Sequence, residues 1–264
     1  MSIIKPLLAF DIGNTNITAG VFEDERLLRR VNIPTVCAEK CRGALRRIGA
    51  KDARGIIICS VVPAATLAFC RCLRLVSPLK PVIVGKKGTV VPLKNLYRRP
   101  KEVGQDRLVN VYAGMKLFGA PLISVDYGTA VTFDALSGRK EYLGGLILPG
   151  MGMQLRALYD GTALLPKVKL RAPGRLLGRD TQESILSGVV HGMAALSGEI
   201  CAGIKKQTGG KAVVIGTGGD IGLIGRYSRV FDHIEPDLTL KGLQLLFEHF
   251  RSSGKKSSGH NKSV

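Results

Sequence analysis

Leu7-Leu-Ala-Phe-Asp11-Ile-Gly13-Asn-Thr15-Asn16 and Leu122-Ile-Ser-Val-Asp126-Tyr-Gly128-Thr129-Ala130 are two versions of one pattern. Each is a short apolar run that ends in Asp-x-Gly followed by Asn or Thr. An apolar run of this length, closed by turn residues, reads as a buried strand. Strand-like stretches follow at 17–22 and 131–135, then turns at 23–25 and 137–139. The order strand, polar-glycine turn, strand, turn, strand thus occurs twice. It predicts an α/β protein made of two duplicated halves with a mixed sheet each.

Further out, Gly55-Ile-Ile-Ile-Cys-Ser60 and Lys211-Ala-Val-Val-Ile-Gly216 both read as buried strands behind a helical segment, and the second leads into Thr217-Gly218-Gly219-Asp220. Helices are predicted over 108–118, over 181–207 and over 239–250. The second carries Ile185, Val189, Met193, Leu196 and Ile200 at helical spacing, and Asp237 is placed to cap the third. The boundary between halves falls near 112–120, giving residues 1–115 and 116–251 with a cleft between them, a common place for ligands. Residues 252–264 are Ser, Gly and Lys with no acid, and are expected to form a disordered basic tail.

An Asp-x-Gly-Asn-Thr-Asn turn behind a buried strand suits a phosphate. Gly13 lets the backbone approach closely, and Asn14, Thr15 and Asn16 supply donors. Asp11 can hold Mg²⁺, directly or through water, because magnesium takes oxygen ligands and keeps waters. In the second turn Thr129 donates and Asp126 offers a carboxylate to a cation. A hairpin turn also favours Asp, Gly and Asn, and one copy would mean no more than that. Two copies at equivalent places, with Gly216-Thr-Gly-Gly besides, favour the phosphate reading. No Gly-x-x-x-x-Gly-Lys-[Ser/Thr] occurs, nor His-Arg-Asp with Asp-Phe-Gly, which excludes a P-loop enzyme and a protein kinase.

The 264 residues are 45% hydrophobic, enough for a substantial core, and the 33 glycines imply many special turns. Tryptophan is absent and aromatics are only 5%, so stacking platforms for bases are scarce. The net charge of +19 is spread through the body, with Arg29, Arg30, Arg42, Arg46 and Arg47 close together. It reads as a solvated basic face, and no nucleic-acid partner is expected. Six cysteines without a Cys-x-x-Cys pair, and no histidine at zinc-finger spacing, read as reduced, packed thiols. The apolar part of residues 1–10 is too short for a signal peptide, and no uninterrupted apolar run reaches the roughly 18 residues of a spanning helix. A cytoplasmic protein without membrane contact is expected.

Paired Asp-x-Gly turns with a later Thr-Gly-Gly resemble the superfamily of acetate and sugar kinases, Hsp70 and actin, whose halves are ribonuclease-H-like (actin-like ATPase) folds. Within it the chain resembles type III pantothenate kinase. The motifs run in that family's order: Asp11-Ile-Gly-Asn-Thr-Asn16, Ser60-Val-Val-Pro63, Tyr97-Arg-Arg-Pro100, Gly104-Gln-Asp-Arg107, Asp126-Tyr-Gly-Thr-Ala130, Gly144-Gly-Leu-Ile-Leu-Pro-Gly150, Gly178-Arg-Asp-Thr181, Thr217-Gly-Gly219 and Asp237-Leu-Thr-Leu240. Gly104 to Arg107 and Gly178 to Thr181 discriminate best.

The resemblance implies ATP-dependent phosphorylation of pantothenate to 4′-phosphopantothenate, the first step of coenzyme A biosynthesis. It implies that Asp11, Ile12, Gly13, Asn14, Thr15, Asn16, Ile17 and Thr18 hold ATP, with Thr129, Gly218 and Gly219. It makes Asp106 the general base, and gives pantothenate to Tyr97, Gly104, Gln105, Asp106, Arg107 and Thr181. It places a monovalent cation, K⁺ or NH₄⁺, on Asp126 and makes the active unit a homodimer. The chemistry agrees. Arg107 can match the pantothenate carboxylate with its guanidinium fork, and a primary alcohol needs a carboxylate to take its proton. Asp106-Arg107 could instead be an ordinary surface pair, and Thr181 a helix N-cap. His191, His233 and His249 are given no role. Two other functions compete: a kinase of another small alcohol or acid, and a non-catalytic regulator on the same scaffold.

Overall fold

The computed structural model describes residues 5–258. Its chain divides into two compact units. Unit 1 is Met1–Pro92, Lys101–Ala113 and Thr239–Val264, and unit 2 is Leu93–Pro100 and Gly114–Leu238.

In unit 1, β1 (Leu7–Ile12), β2 (Asn16–Glu23) and β3 (Arg26–Pro34) form an antiparallel meander, while β4 (Gly55–Ser60) lies parallel to β1 and β5 (Val82–Ile83) parallel to β4. The strand order is β3-β2-β1-β4-β5. β1 and β4 are central and covered on both faces, which is why they read as continuous apolar runs. On one face Leu8, Phe10, Ile12, Ile56 and Ile58 pack with α1 (Arg42–Arg47) and with α2 (Pro63–Arg74), through Leu45, Phe69 and Leu73. β3 is an edge strand and shows Arg26, Arg29 and Arg30 to solvent, charges that discourage pairing with another chain.

In unit 2, β7 (Leu122–Tyr127), β8 (Ala130–Leu136) and β9 (Glu141–Pro149) repeat the meander, with β10 (Val213–Thr217) parallel to β7. The edges are β11 (His233–Ile234), parallel to β10, and β6 (Lys94–Asn95), parallel to β9. α4 (Met151–Asp160) and α5 (Thr181–Gln207) cover the face made by Ile123, Val125, Tyr127, Val131 and Phe133. By length and composition α5 passes as a membrane span. Its apolar row is instead buried in the core of unit 2, and its Ser197 shares a 2.6 Å hydrogen bond with the Tyr127 hydroxyl.

The chain is thus an α/β protein with two duplicated mixed-sheet halves. The halves are less contiguous than the sequence pattern suggests. α3 (Gln105–Phe118) runs across the division, and α7 (Leu238–Ser258) closes unit 1 although it comes last in the chain. Its Phe247 ring lies where a Cβ on Gly55 of β4 would stand, and Leu240 lies against Gly20 of β2. A strongly amphipathic helix goes where an apolar sheet face is open, whatever its place in the chain. The expected tail is also shorter: α7 continues through Ser258, and residues 259–264 lie outside the described residues. All six cysteines are free thiols. His191 packs edge-on to Tyr227 and His233 stacks on Phe118, in keeping with histidines that need no catalytic role.

Candidate functional site

The first Asp-x-Gly turn is a tight connection from β1 to β2. The Gly13 amide donates to the Asn16 carbonyl at 3.0 Å. Thr35 braces it from outside: its hydroxyl donates to the Gly13 carbonyl at 2.7 Å, and its amide to the Thr15 carbonyl at 3.0 Å. Asn14, Thr15 and Asn16 are exposed, whereas Ile12 and Ile17 are fully buried. Those two side chains belong to the core, so only their main chain can meet a ligand.

Asp106 stands in the first turn of α3, after Gly104. Its Oδ1 accepts a 2.8 Å hydrogen bond from the Arg107 amide. A Cβ on Gly104 would lie 2.4 Å from that same oxygen, so the carboxylate folds back over Gly104 into space that a side chain there would contest. Next to it, the Gln105 amide group fills the space over Gly85, a glycine with φ of +86°. The Gln105 Oε1 atom is buried and has no hydrogen-bond partner among the described residues. Arg107 is only 6% exposed and is already engaged within the protein.

The segments that carry Asp11 and Asp106 meet at the end of β4. Asp11 is the register partner of Cys59 across β1 and β4, the Val61 amide donates to the Ile12 carbonyl at 3.2 Å, and a Cβ on Gly104 would lie 3.6 Å from the Val61 side chain. Cys59 is fully buried, and burial pushes its thiol well above the ordinary range, with the negative charges of Asp11 and Asp106 adding to the effect.

The second turn, from β7 to β8, is covered by glycines. A Cβ on Gly150 would lie 2.4 Å from the carbonyl oxygens of Gly128 and Thr129. Gly218 has φ of +96°, and a Cβ there would lie 2.3 Å from Asp126 Oδ1 and 2.6 Å from the Tyr127 amide nitrogen. The Thr217-Gly218-Gly219 turn is thus laid directly on Asp126. Thr217 is 1% exposed, and its hydroxyl has no partner among the described residues. Thr129 is exposed. Asp220, beyond the glycines, was not singled out in the sequence, and burial raises its carboxyl.

Tyr97 is half-buried beside the start of β9. Thr181 is the first residue of α5, and the cap is Asp180 instead. Asp180 Oδ1 accepts from the Glu183 amide at 2.8 Å, and Glu183 Oε2 accepts from the Arg179 amide at 2.9 Å. A longer carboxylate three residues on completes this reciprocal arrangement. It leaves Thr181 exposed and outside the cap. No group of three or more His, Cys, Asp or Glu that could hold a metal occurs among the described residues.

A duplicated mixed sheet with an aspartate-glycine turn at the same point of each half defines an actin-like ATPase fold. The solved structures agree: the chain covers 98% of itself and 99% of an activator of 2-hydroxyisocaproyl-CoA dehydratase from Clostridium difficile at a TM-score of 0.54 and 12% identity. It matches an archaeal actin homolog, Ta0583, at a TM-score of 0.56 and 12% identity over 92% of this chain and 99% of that one. Residues 7–203 match the sequence profile of type III pantothenate kinase. The type III pantothenate kinase of Moorella thermoacetica is 37% identical over 92% of this chain and 98% of its own, and that of Dehalococcoides mccartyi strain CBDB1 is 38% identical over 92% and 96%. The chain belongs to the type III pantothenate kinase family. It is a kinase that phosphorylates the alcohol of pantothenate in coenzyme A biosynthesis, with ATP as co-substrate and a metal ion.

Proposed function

We propose that Asp106 is the general base of this reaction. It takes the proton of the pantothenate hydroxyl as that oxygen bonds to the γ-phosphorus and the bond to ADP breaks. The observation that supports the assignment is the approach of the two segments within unit 1: the Val61 amide donates to the Ile12 carbonyl at 3.2 Å, and Gly104, two residues before Asp106, lies against the Val61 side chain. Asn14, Thr15 and Asn16, exposed on a turn braced by Thr35, donate to ATP phosphates, as do the main chain of residues 11–18, Thr129 and the Gly218-Gly219 turn. Asp11 holds Mg²⁺, which neutralises phosphate charge. A single carboxylate fits an ion that keeps waters and phosphate oxygens as its other ligands.

Gly104, Gln105, Arg107, Tyr97 and Thr181 bind pantothenate. The unpartnered Gln105 oxygen is an acceptor suited to a substrate N–H or O–H. Asp126 holds a monovalent cation, K⁺ or NH₄⁺. The orphaned Thr217 hydroxyl beside it supplies the oxygen such an ion needs. The active unit is a homodimer. Unit 2 leaves Ile147, Leu164, Leu176 and Leu177 strongly exposed, as a surface awaiting a second copy would. The enzyme works in the cytoplasm and needs neither membrane nor nucleic acid.

Coupled measurement of ADP release from MgATP, with and without pantothenate, tests the function. The expected result is release that depends on pantothenate and gives a phosphorylated product. Equal release without it, or with a different alcohol only, would reject this reading.

A further inference from the structure

We propose that Tyr142 is a positioning residue for Tyr97, anchored by the buried carboxylate of Asp134, with the Tyr97 ring lying over Gly144 of the same strand. The inference rests on the reading that Tyr97 contacts pantothenate.

Asp134 sits in the middle of β8 between Phe133 and Ala135 and is 1% exposed. A carboxylate so placed is costly unless it receives hydrogen bonds. The Tyr142 hydroxyl, itself on a fully buried side chain, donates to Asp134 Oδ1 at 2.6 Å. This is a short, charge-assisted bond of the stronger kind. It fixes the tilt of the Tyr142 ring, which also meets Tyr97. The two ring centroids lie 6.4 Å apart with planes inclined at 44°, a favourable aromatic arrangement.

Two further features hold Tyr97 against that ring. The main chain is pinned to β9, because Leu96 donates its amide to the Tyr142 carbonyl at 2.9 Å, and the Asn95 side chain accepts from the Tyr97 amide at 2.9 Å. Beneath the ring is Gly144, with φ of +128°, where a Cβ would touch the Tyr97 ring carbons at 3.5 and 3.6 Å. A tyrosine on a buried acid, an asparagine turn and a glycine thus support Tyr97 on three sides. A surface tyrosine in a short edge connection would otherwise sample several rotamers. Restricting one matters when the ring must meet a small, flexible substrate.

The test combines kinetics with ring NMR on the full chain. Tyr142→Phe keeps the ring and removes the anchor. It should raise the KM for pantothenate by roughly three- to tenfold while moving the KM for ATP less than about twofold, the signature of lost substrate binding. Gly144→Ala, strained by the φ of +128° there, should shift the strand under the ring and do the same, and serves if Tyr142→Phe does not fold. In a Tyr97→Ala background Tyr142→Phe should add nothing, because residues acting through one another are not additive. In protein carrying ¹³C-labelled tyrosine rings, the wild type should show Tyr97 close to Gly144 and Tyr142→Phe should lose that proximity. Additive kinetic effects, equal changes in both KM values, or an unmoved Tyr97 ring would overturn the proposal. If Tyr97→Ala alone leaves the pantothenate KM unchanged, the substrate role of Tyr97 fails, and the ring NMR still decides whether Tyr142 positions it.

Discussion

The two Asp-x-Gly turns stand at equivalent points of their sheets and differ in what surrounds the carboxylate. Asp11 lies opposite Thr18 on its antiparallel neighbour and Cys59 on its parallel one. Asp126 lies opposite Thr132 and Thr217 in the same way. One aspartate therefore shares its surroundings with a buried thiol and a second carboxylate, Asp106. The other has a buried hydroxyl and the Gly218 turn. An un-ionised thiol adds nothing for a hard cation, so an ion on Asp11 would take its other ligands from water and phosphate. Hydroxyl and carboxylate oxygens instead suit an ion held by the protein itself. The duplicated strands set where the aspartates stand, and the residues on the parallel neighbour separate their roles.

The strongest way to break this division is Asp106→Asn. The variant keeps the size and the acceptor for the Arg107 amide but cannot take a proton. Turnover should fall by about 10²–10⁴-fold, the usual contribution of a general base. ATP binding, measured by calorimetry, should be unchanged. Near-normal turnover would remove the base from the first region.

Next comes the cation. With Mg²⁺ and ionic strength fixed, replacing Na⁺ by K⁺ or NH₄⁺ should raise activity. Asp126→Ala should abolish that activation and most of the turnover. Constant ionic strength removes general screening as an explanation. Equal rates in Na⁺ and K⁺ would sink the cation site and leave the phosphate turns standing.

The glycines sharpen the same contrast. Gly218→Ala puts a methyl at 2.3 Å from Asp126 Oδ1 in a backbone conformation that L-residues avoid. Gly13→Ala meets only the Asn16 carbonyl, at 3.3 Å, without a positive φ. The first substitution should cost at least about tenfold in kcat and blunt the K⁺ response, since displacing a polar ligand by an ångström is costly. The second should stay within a few-fold. Comparable losses would mean that the two turns are equally crowded.

Much of this was legible in the sequence because it rests on local pattern. Central strands buried on both faces must read as apolar runs, so β1, β4, β7 and β10 were recognisable, and α5 was bounded by its periodicity. What escaped depends on contacts between distant segments. Nothing local says that α7 returns to β4, because its amphipathic face suits either sheet. Asp180 and Thr181 are both good capping residues, and only the Glu183 amide chooses between them. That Asp106 and Asp11 serve one site rests on the family resemblance, since 95 positions of chain separate them. Tyr142 was hidden among strand residues. Asp134 was the one available signal, as a charge in the middle of an apolar strand.

The smallest effect tests the brace on the first turn. In the second turn Gly150 donates its amide to the Thr129 carbonyl at 3.1 Å, whereas the first turn adds the Thr35 hydroxyl to its main-chain bonds. Thr35→Val keeps the shape and the amide bond to Thr15 but removes the hydroxyl that donates to the Gly13 carbonyl. The lost bond should destabilise unit 1 by about 0.5–1.5 kcal/mol. The turn would loosen while Asn14, Thr15 and Asn16 remain. The KM for ATP should therefore rise a few-fold and the KM for pantothenate should not move, because its proposed contacts at Gly104 to Arg107 stand on α3. Thr35→Ser restores the donor and should restore the ATP KM. If valine and serine behave alike, the hydroxyl is not the brace, and the turn is held by its main-chain hydrogen bonds.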